Sequence, residues 1–231
     1  MSANIDVSKI VDDFEGSRKD AHFPFVTLSY AQSIDGSIAT RQRTLLALSG
    51  AASMRMTHEL RAVHDAILVG IGTIIADNPQ LTVRLVPGDN PRPVIVDSAL
   101  RFPLDSELLK SQKKPWIATT NKKAGHRERS LREAGCRILK SKPNDQGKVP
   151  LADLLSTLWG DGIQRVMVEG GASVITSFLE QKLVNLVIIT IAPRFVGGLH
   201  AVSSHMTASH EIESPAHTKL DHDLVVWGRL K

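Results

Sequence analysis

The chain has almost no cysteine, few aromatic residues and no long apolar run. Cys136 is the single cysteine among 231 residues. An intrachain disulfide is therefore impossible, and zinc sites needing several thiolates are excluded. No apolar stretch approaches the ~20 residues of a membrane helix, so no membrane partner is expected. The Gly-x-Ser-x-Gly nucleophile elbow is missing, and so is the His-x-Glu with Pro-Cys-x-x-Cys signature of zinc deaminases. The N-terminus carries Asp6, Lys9, Asp12, Asp13, Glu15, Arg18 and Lys19, a composition foreign to a secretory signal, and a reducing, cytoplasmic home is expected. Among the nine histidines, His200, His205 and His210 are spaced by five, and His58 and His64 by six. Neither spacing converges on a metal, and no metal site is expected.

What remains is an ordinary globular composition, 42% hydrophobic and 23% charged, long enough to bury a core. The net charge is +4. Its distribution is uneven. Residues 110–142 hold eleven Lys/Arg against Glu128 and Glu133, a local +9, while the rest carries 17 basic and 22 acidic residues, a net −5. A nucleic-acid module would interleave aromatics with those charges, yet 110–142 contains only Trp116, so no nucleic-acid partner is expected.

Strands and helices alternate from residue 25 to 191. The spacing predicts strands at Phe25–Ala31, Ala66–Ile71, Val94–Asp97, Trp116–Thr119, Arg137–Lys140, Arg165–Val168 and Leu186–Ile191, the last being central and suited to a core or an interface. Helices are expected over about 50–64, capped by Ser49 with Met54 and Leu60 inward and Met56 a further inward candidate; from Asn121 to Gly135; over Pro150–Trp159 with Leu151, Leu154, Leu155 and Leu158 on one face; and over about 173–182. Residues 1–22 read as a peripheral extension with a weak helical pattern, and 23–231 as one domain. Asp223–Trp227 is expected to return as an antiparallel edge strand. The order implies an α/β fold with a mostly parallel sheet and helices on both faces.

In such sheets ligands bind at the carboxyl ends of strands. Three of these ends carry small or polar residues: Ala31-Gln32-Ser33-Ile34-Asp35-Gly36, Gly70 through Pro79, and Glu169-Gly170-Gly171-Ala172-Ser173. Glycines at a strand-to-helix turn let backbone N–H groups approach a phosphate. A tight turn alone would also explain the Gly170-Gly171 pair. The third glycine of a Gly-x-Gly-x-x-Gly fingerprint is absent, since Ile75 stands there.

Taken together, PFVTLSYAQSIDG (24–36), MTHELRAVHDAILVGIGTIIADNPQLTVR (56–84), RPVIVDSALRFP (92–103), RVMVEGGAS (165–173) and LVIITIAPRFVGG (186–198) resemble the reductases of riboflavin biosynthesis. The resemblance implies a single dihydrofolate-reductase-like domain, NADPH as cofactor and a homodimer. It implies reduction of the ribosyl group of 2,5-diamino-6-ribosylamino-4(3H)-pyrimidinone 5′-phosphate. The deaminated 5-amino-uracil compound is the alternative, and a pterin or folate reductase on the same fold a further one. It implies cofactor contacts at Ala31, Thr73 and Asp77, with Gly170, Gly171, Ala172 and Ser173 cradling the pyrophosphate. Arg61, Asn78, Leu81, Arg84 and Glu169 match substrate-contacting positions, and Thr44 is a further candidate for the substrate phosphate. Many relatives carry Asp where this chain has Asn78.

The residue chemistry agrees. Arg binds phosphate in a bidentate fork, which suits Arg61 and Arg84. Glu169, directly after an apolar strand, could accept pyrimidine N–H groups and is the candidate catalytic residue; a helix-dipole partner is its bland alternative. NADPH carries a 2′-phosphate that needs a cation. Thr119-Thr120-Asn121-Lys122-Lys123 lies at the expected sheet edge; Lys122 or Lys123 is the expected partner, and Thr119 is a further expected cofactor contact. Glu169, Asp35 or water could deliver the proton.

Overall fold

The computed structural model describes residues 5–17, 22–42, 46–121, 125–202 and 206–231. In chain order the elements are α1 (Val7–Gly16), β1 (Phe25–Ser33), β2 (Ser37–Ala39), α2 (Ala51–Ala62), β3 (Ala66–Gly70), α3 (Ile71–Asp77), β4 (Arg92–Val96), a 3-10 turn (Glu107–Lys110), β5 (Trp116–Thr119), α4 (Gly125–Glu133), β6 (Arg137–Lys140), α5 (Leu151–Gly160), β7 (Arg165–Gly170), α6 (Ala172–Glu180), β8 (Leu186–Ala192), β9 (Leu199–His200), β10 (Ile212–Leu220) and β11 (Asp223–Leu230). Among the described residues none lies in a helix long and apolar enough to cross a membrane.

Nine described strands form one sheet in the order β10-β11-β8-β1-β7-β3-β4-β5-β6. The seven from β8 to β6 are mutually parallel, and β11 and β10 close one side antiparallel. The fold class expected from the sequence is the one observed. Strand alternation sets its layers. Ala66 and Leu68 of β3 point to the face covered by α5 and α6, and Ile67 and Val69 to the face covered by α3 and α4. On that second face, β1, β7 and β8 meet α1 and α2 through Phe25, Met167 and Ile188. The run 186–191 is core: β8 lies between β11 and β1.

Three local expectations are corrected. The N-terminal stretch is not merely peripheral: α1 is docked, with Val11 fully buried. Asp12 and Glu15 also bind Arg165 at the start of β7, at 2.8 and 2.5 Å. Ser49 does not cap α2; Gly50 is its N-cap, and the open N–H groups of Gly50 and Ala52 are taken by Asp223 and Asp221 at 2.8 and 3.2 Å. These carboxylates come from the turn after β10 and the first residue of β11, so a remote acceptor replaced the local one. Met54 is exposed, and Met56 is the inward methionine. The start of the helix expected from Asn121 lies outside the described residues; α4 is described from Gly125, and the Asn121 carboxamide donates to the Ala99 carbonyl.

Much of the basic segment is spent on holding the fold. Glu128 accepts from Arg132 (2.9 Å) and Lys140 (2.5 Å), and these bonds hold its carboxyl below the usual range. Arg137 pairs with Asp161 at 2.9 Å and lies over the Trp116 ring, as does Arg92. Lys114 and Arg127 donate to the Leu109 and Phe102 carbonyls.

Candidate active site

The parallel strands bring the ends of β1, β3, β7 and β8 to one edge. At that edge β7 breaks step with its neighbour. Leu68 pairs with Val168, but Val69 pairs with Gly170, so Glu169 is an extra residue in the ladder. Bulges of this kind re-aim a side chain and sit beside functional sites. Glu169 meets Arg61 of α2 in a bidentate pair, Nε to Oε1 at 2.6 Å and Nη2 to Oε2 at 2.7 Å. Nη1 of Arg61 donates to the Thr82 carbonyl at 3.0 Å. The two side chains are only 11% and 14% exposed. Burial alone would lower the Arg61 pKa; the charge and hydrogen bonds of Glu169 more than offset it, and the guanidinium is held charged.

After Glu169 the chain turns through Gly170 (φ 125°) and Gly171 (φ 83°), conformations that a side chain opposes. A Cβ on Gly171 would lie 3.1 Å from the Thr73 hydroxyl. One on Gly70 would press within 2.9 Å of Val174 Cγ2. The starts of α3 and α6 therefore lie against each other because both turns lack side chains. No side chain caps α6. The first N–H groups of a helix have no intrahelical acceptor, so this start offers donors and a positive dipole end to an anion.

Asp35, in the turn after β1, accepts four hydrogen bonds: Ser33 Oγ at 2.5 Å, Ser37 Oγ at 2.8 Å, Val196 N–H at 3.0 Å and Gly197 N–H at 2.7 Å. The Ser33 hydroxyl bond leads in holding this carboxyl far below the usual range, with the backbone donors adding to it. Asp35 is an ionised clamp on the segment after β8, with no proton to give near neutrality. As an expected proton donor it is corrected on that ground.

The α2 face toward this edge also carries His58, which sequence reasoning considered only as a metal ligand. Its Nδ1 accepts the Arg84 N–H at 2.8 Å. Burial lowers its pKa, and Arg61 and Arg84 lower it further, against an opposing effect of Glu169. The signal was available in the sequence as the three-residue spacing of His58 and Arg61.

The profile of the RibD C-terminal domain family matches residues 24–226. The chain belongs to this family. Among the similar proteins is the 2,5-diamino-6-ribosylamino-4(3H)-pyrimidinone 5′-phosphate reductase of Methanothermobacter thermautotrophicus, 39% identical over 77% of this chain and 82% of that protein. The riboflavin biosynthesis protein RibD of Aquifex aeolicus is 35% identical over 75% of this chain, but the match spans only 48% of that longer protein. The solved structure of the riboflavin biosynthesis reductase Rib7 of Saccharomyces cerevisiae aligns with a TM-score of 0.77 at 30% identity, over 98% of this chain and 100% of that one.

The expected site residues of this RibD C-terminal family member divide into three sets. Glu169, Gly170, Gly171, Thr73 and the Ala172–Ser173 helix start come together as described. Arg61 is near them, with three of its N–H groups donated to Glu169 and the Thr82 carbonyl. Arg84 is exposed, its guanidinium resting on Gln80 Oε1 (3.1 Å) and Thr82 Oγ1 (2.8 Å). Asp77 ends α3, and partial burial raises its pKa. Ala31 lies in the last third of β1, opposite Thr190.

The second set serves structure. Leu81 is 3% exposed and part of the core beside α3. Thr119 is fully buried, and its hydroxyl donates to the Ser98 carbonyl and accepts from the Asn121 N–H. Asn78 closes α3 in the left-handed region, and its Oδ1 accepts the Glu107 N–H at 2.9 Å. The third set, Thr44, Lys122 and Lys123, lies outside the described residues.

Proposed function

We propose that this chain reduces the ribosyl group of 2,5-diamino-6-ribosylamino-4(3H)-pyrimidinone 5′-phosphate to the ribitylamino product, using NADPH. The observation that carries the reading is one juxtaposition. A carboxylate fixed by Arg61 stands immediately before an uncapped, glycine-led helix start on the same strand. The first suits a hydrogen-bonding heterocycle and the second a pyrophosphate.

The residues present fit a phosphorylated dinucleotide. The Ala172 and Ser173 N–H groups would meet its pyrophosphate, with Thr73 and Asp77 beside them and the β1 backbone at Ala31 facing the nicotinamide. Lys122 or Lys123 would meet the 2′-phosphate. NADPH, when bound, supplies the hydride that the sugar carbon accepts. The chain's own residues orient the acceptor. Glu169 accepts pyrimidine N–H groups on its remaining lone pairs, and Arg61 holds it in place. Arg84 binds the 5′-phosphate. With the cofactor bound, the open-chain imine would accept the hydride at C1′ while its nitrogen accepts a proton from solvent, since Asp35 and Glu169 already accept hydrogen bonds from the protein. Holding the acceptor in one orientation would supply much of the acceleration.

We also propose a cytoplasmic homodimer, as the family resemblance implies; light scattering at twice the chain mass checks the dimer. The decisive assay incubates the protein with NADPH and each candidate pyrimidine in turn, with product identification by mass. The diamino compound is expected to yield its ribityl product with the higher kcat/KM. A preference for the deaminated compound would reverse the substrate choice, and no turnover of either would overturn the reading.

A further inference from the structure

One face of α2 grips the extended segment Thr82–Leu85 at three successive points. Arg61 Nη1 donates to the Thr82 carbonyl at 3.0 Å. His58 Nδ1 accepts the Arg84 N–H at 2.8 Å. Arg55 Nη1 donates to the Leu85 carbonyl at 3.3 Å. Residues 55, 58 and 61 recur every third position and so share a helix face. The Val83 N–H is taken separately, by Asn90 Oδ1 at 2.7 Å. The segment is thus a strap whose backbone groups are tied in order, while the Arg84 guanidinium is left toward solvent.

The middle tie differs from the other two. Arg55 and Arg61 are permanent donors, but an imidazole nitrogen accepts only when unprotonated. Because Nδ1 faces an N–H, the ring hydrogen must sit on Nε2, and a second proton would set donor against donor. His58 is 1% exposed, so water cannot replace the lost bond. The charged groups around the ring are Arg61 on its own helix, Arg84 on the strap and Glu169 on β7.

We propose that His58 is a positioning residue: by accepting the Arg84 N–H it fixes the strap that presents the Arg84 guanidinium to the substrate phosphate, and protonation of the ring releases that strap. This rests on the substrate reading above for its effect on binding, but the tie itself stands on geometry. Burial and the two arginines place its titration below the ordinary histidine range, so the strap is held at neutrality and loosens only in acid.

The test compares wild type, His58→Ala and His58→Asn, with KM and kcat for the pyrimidine phosphate measured across pH. Asn keeps an acceptor at this position and does not titrate. His58→Ala should raise KM about tenfold, the effect of one lost hydrogen bond, with kcat within about twofold. His58→Asn should restore most of that loss. The substrate phosphate itself titrates near pH 6, so the readout is the ratio of wild-type to His58→Asn KM, which should climb as pH falls. A flat ratio, or wild-type KM in His58→Ala, overturns the proposal. If His58→Ala does not fold, ligand-free NMR of the wild type decides: the Arg84 amide should shift with the same midpoint as the His58 ring. An Arg84 amide that ignores the ring overturns the proposal. A wild type without turnover would overturn the substrate reading instead, with the amide titration still deciding the tie.

Discussion

Asp223 caps helix α2 from 173 positions away in sequence, its Oδ2 accepting the Gly50 N–H at 2.8 Å. The helix that carries His58 and Arg61 is thereby anchored by the C-terminal hairpin. Asp223→Ala should cost about 1 kcal/mol, the usual effect of losing a carboxylate cap. A lowered denaturant midpoint with unchanged slope checks it, and Asp223→Asn, which keeps an acceptor, should lose less.

Arg61 and Glu169 should act as one unit. Each single alanine substitution strands a half-buried charge, so each should lower kcat/KM by about a hundredfold. The double substitution should fall little further, giving a large coupling in the mutant cycle. Near-native turnover by Glu169→Ala would remove it from the site.

His64 sets an acid limit on stability. Its Nδ1 lies 2.6 Å from the Leu60 carbonyl and its Nε2 2.8 Å from Thr27 Oγ1. Burial pushes its pKa down to about 4, against the ordinary 6.5. The unfolded chain therefore takes up a proton below pH 6.5 that the folded chain refuses until about pH 4. Stability should fall by about 3 kcal/mol across that window from this group alone. Chemical denaturation at pH 7 and pH 4 measures the slope, and His64→Gln should flatten it by that amount.

The Lys122 and Lys123 assignment predicts cofactor choice. Reversing both charges should raise KM for NADPH far more than for NADH, because only the former carries the 2′-phosphate. An unchanged ratio sinks the assignment.

The regular core was legible. Apolar runs of β1, β3, β7 and β8 and the leucine face of α5 announce themselves because each element buries one face against a neighbour. The glycine turn at 170–171 was legible for a similar reason, as a local requirement of the backbone. The less regular partners were not. Ser49 looked like a cap because a local side chain is the only acceptor a sequence displays, whereas Asp223 arrives through tertiary folding. Leu81 matches a family position and Thr119 opens the segment read as the cofactor edge, yet Leu81 is buried and the Thr119 hydroxyl donates to the Ser98 carbonyl. The Arg61 fork and the His58 acceptor depend on where strap and strand meet α2. The strand β10 escaped notice because its Ile212–Leu220 stretch is mostly exposed and so lacks an apolar signature.

The extra residue in β7 makes residue count a harder constraint on this site than composition. Substitution at 165–171 changes one side chain at a time. Deleting Glu169 would instead leave Val168 and Gly170 in step with Leu68 and Val69 with no residue between them, and the break in the ladder would close. The resulting ladder would be the more regular one, and it would have lost its carboxylate.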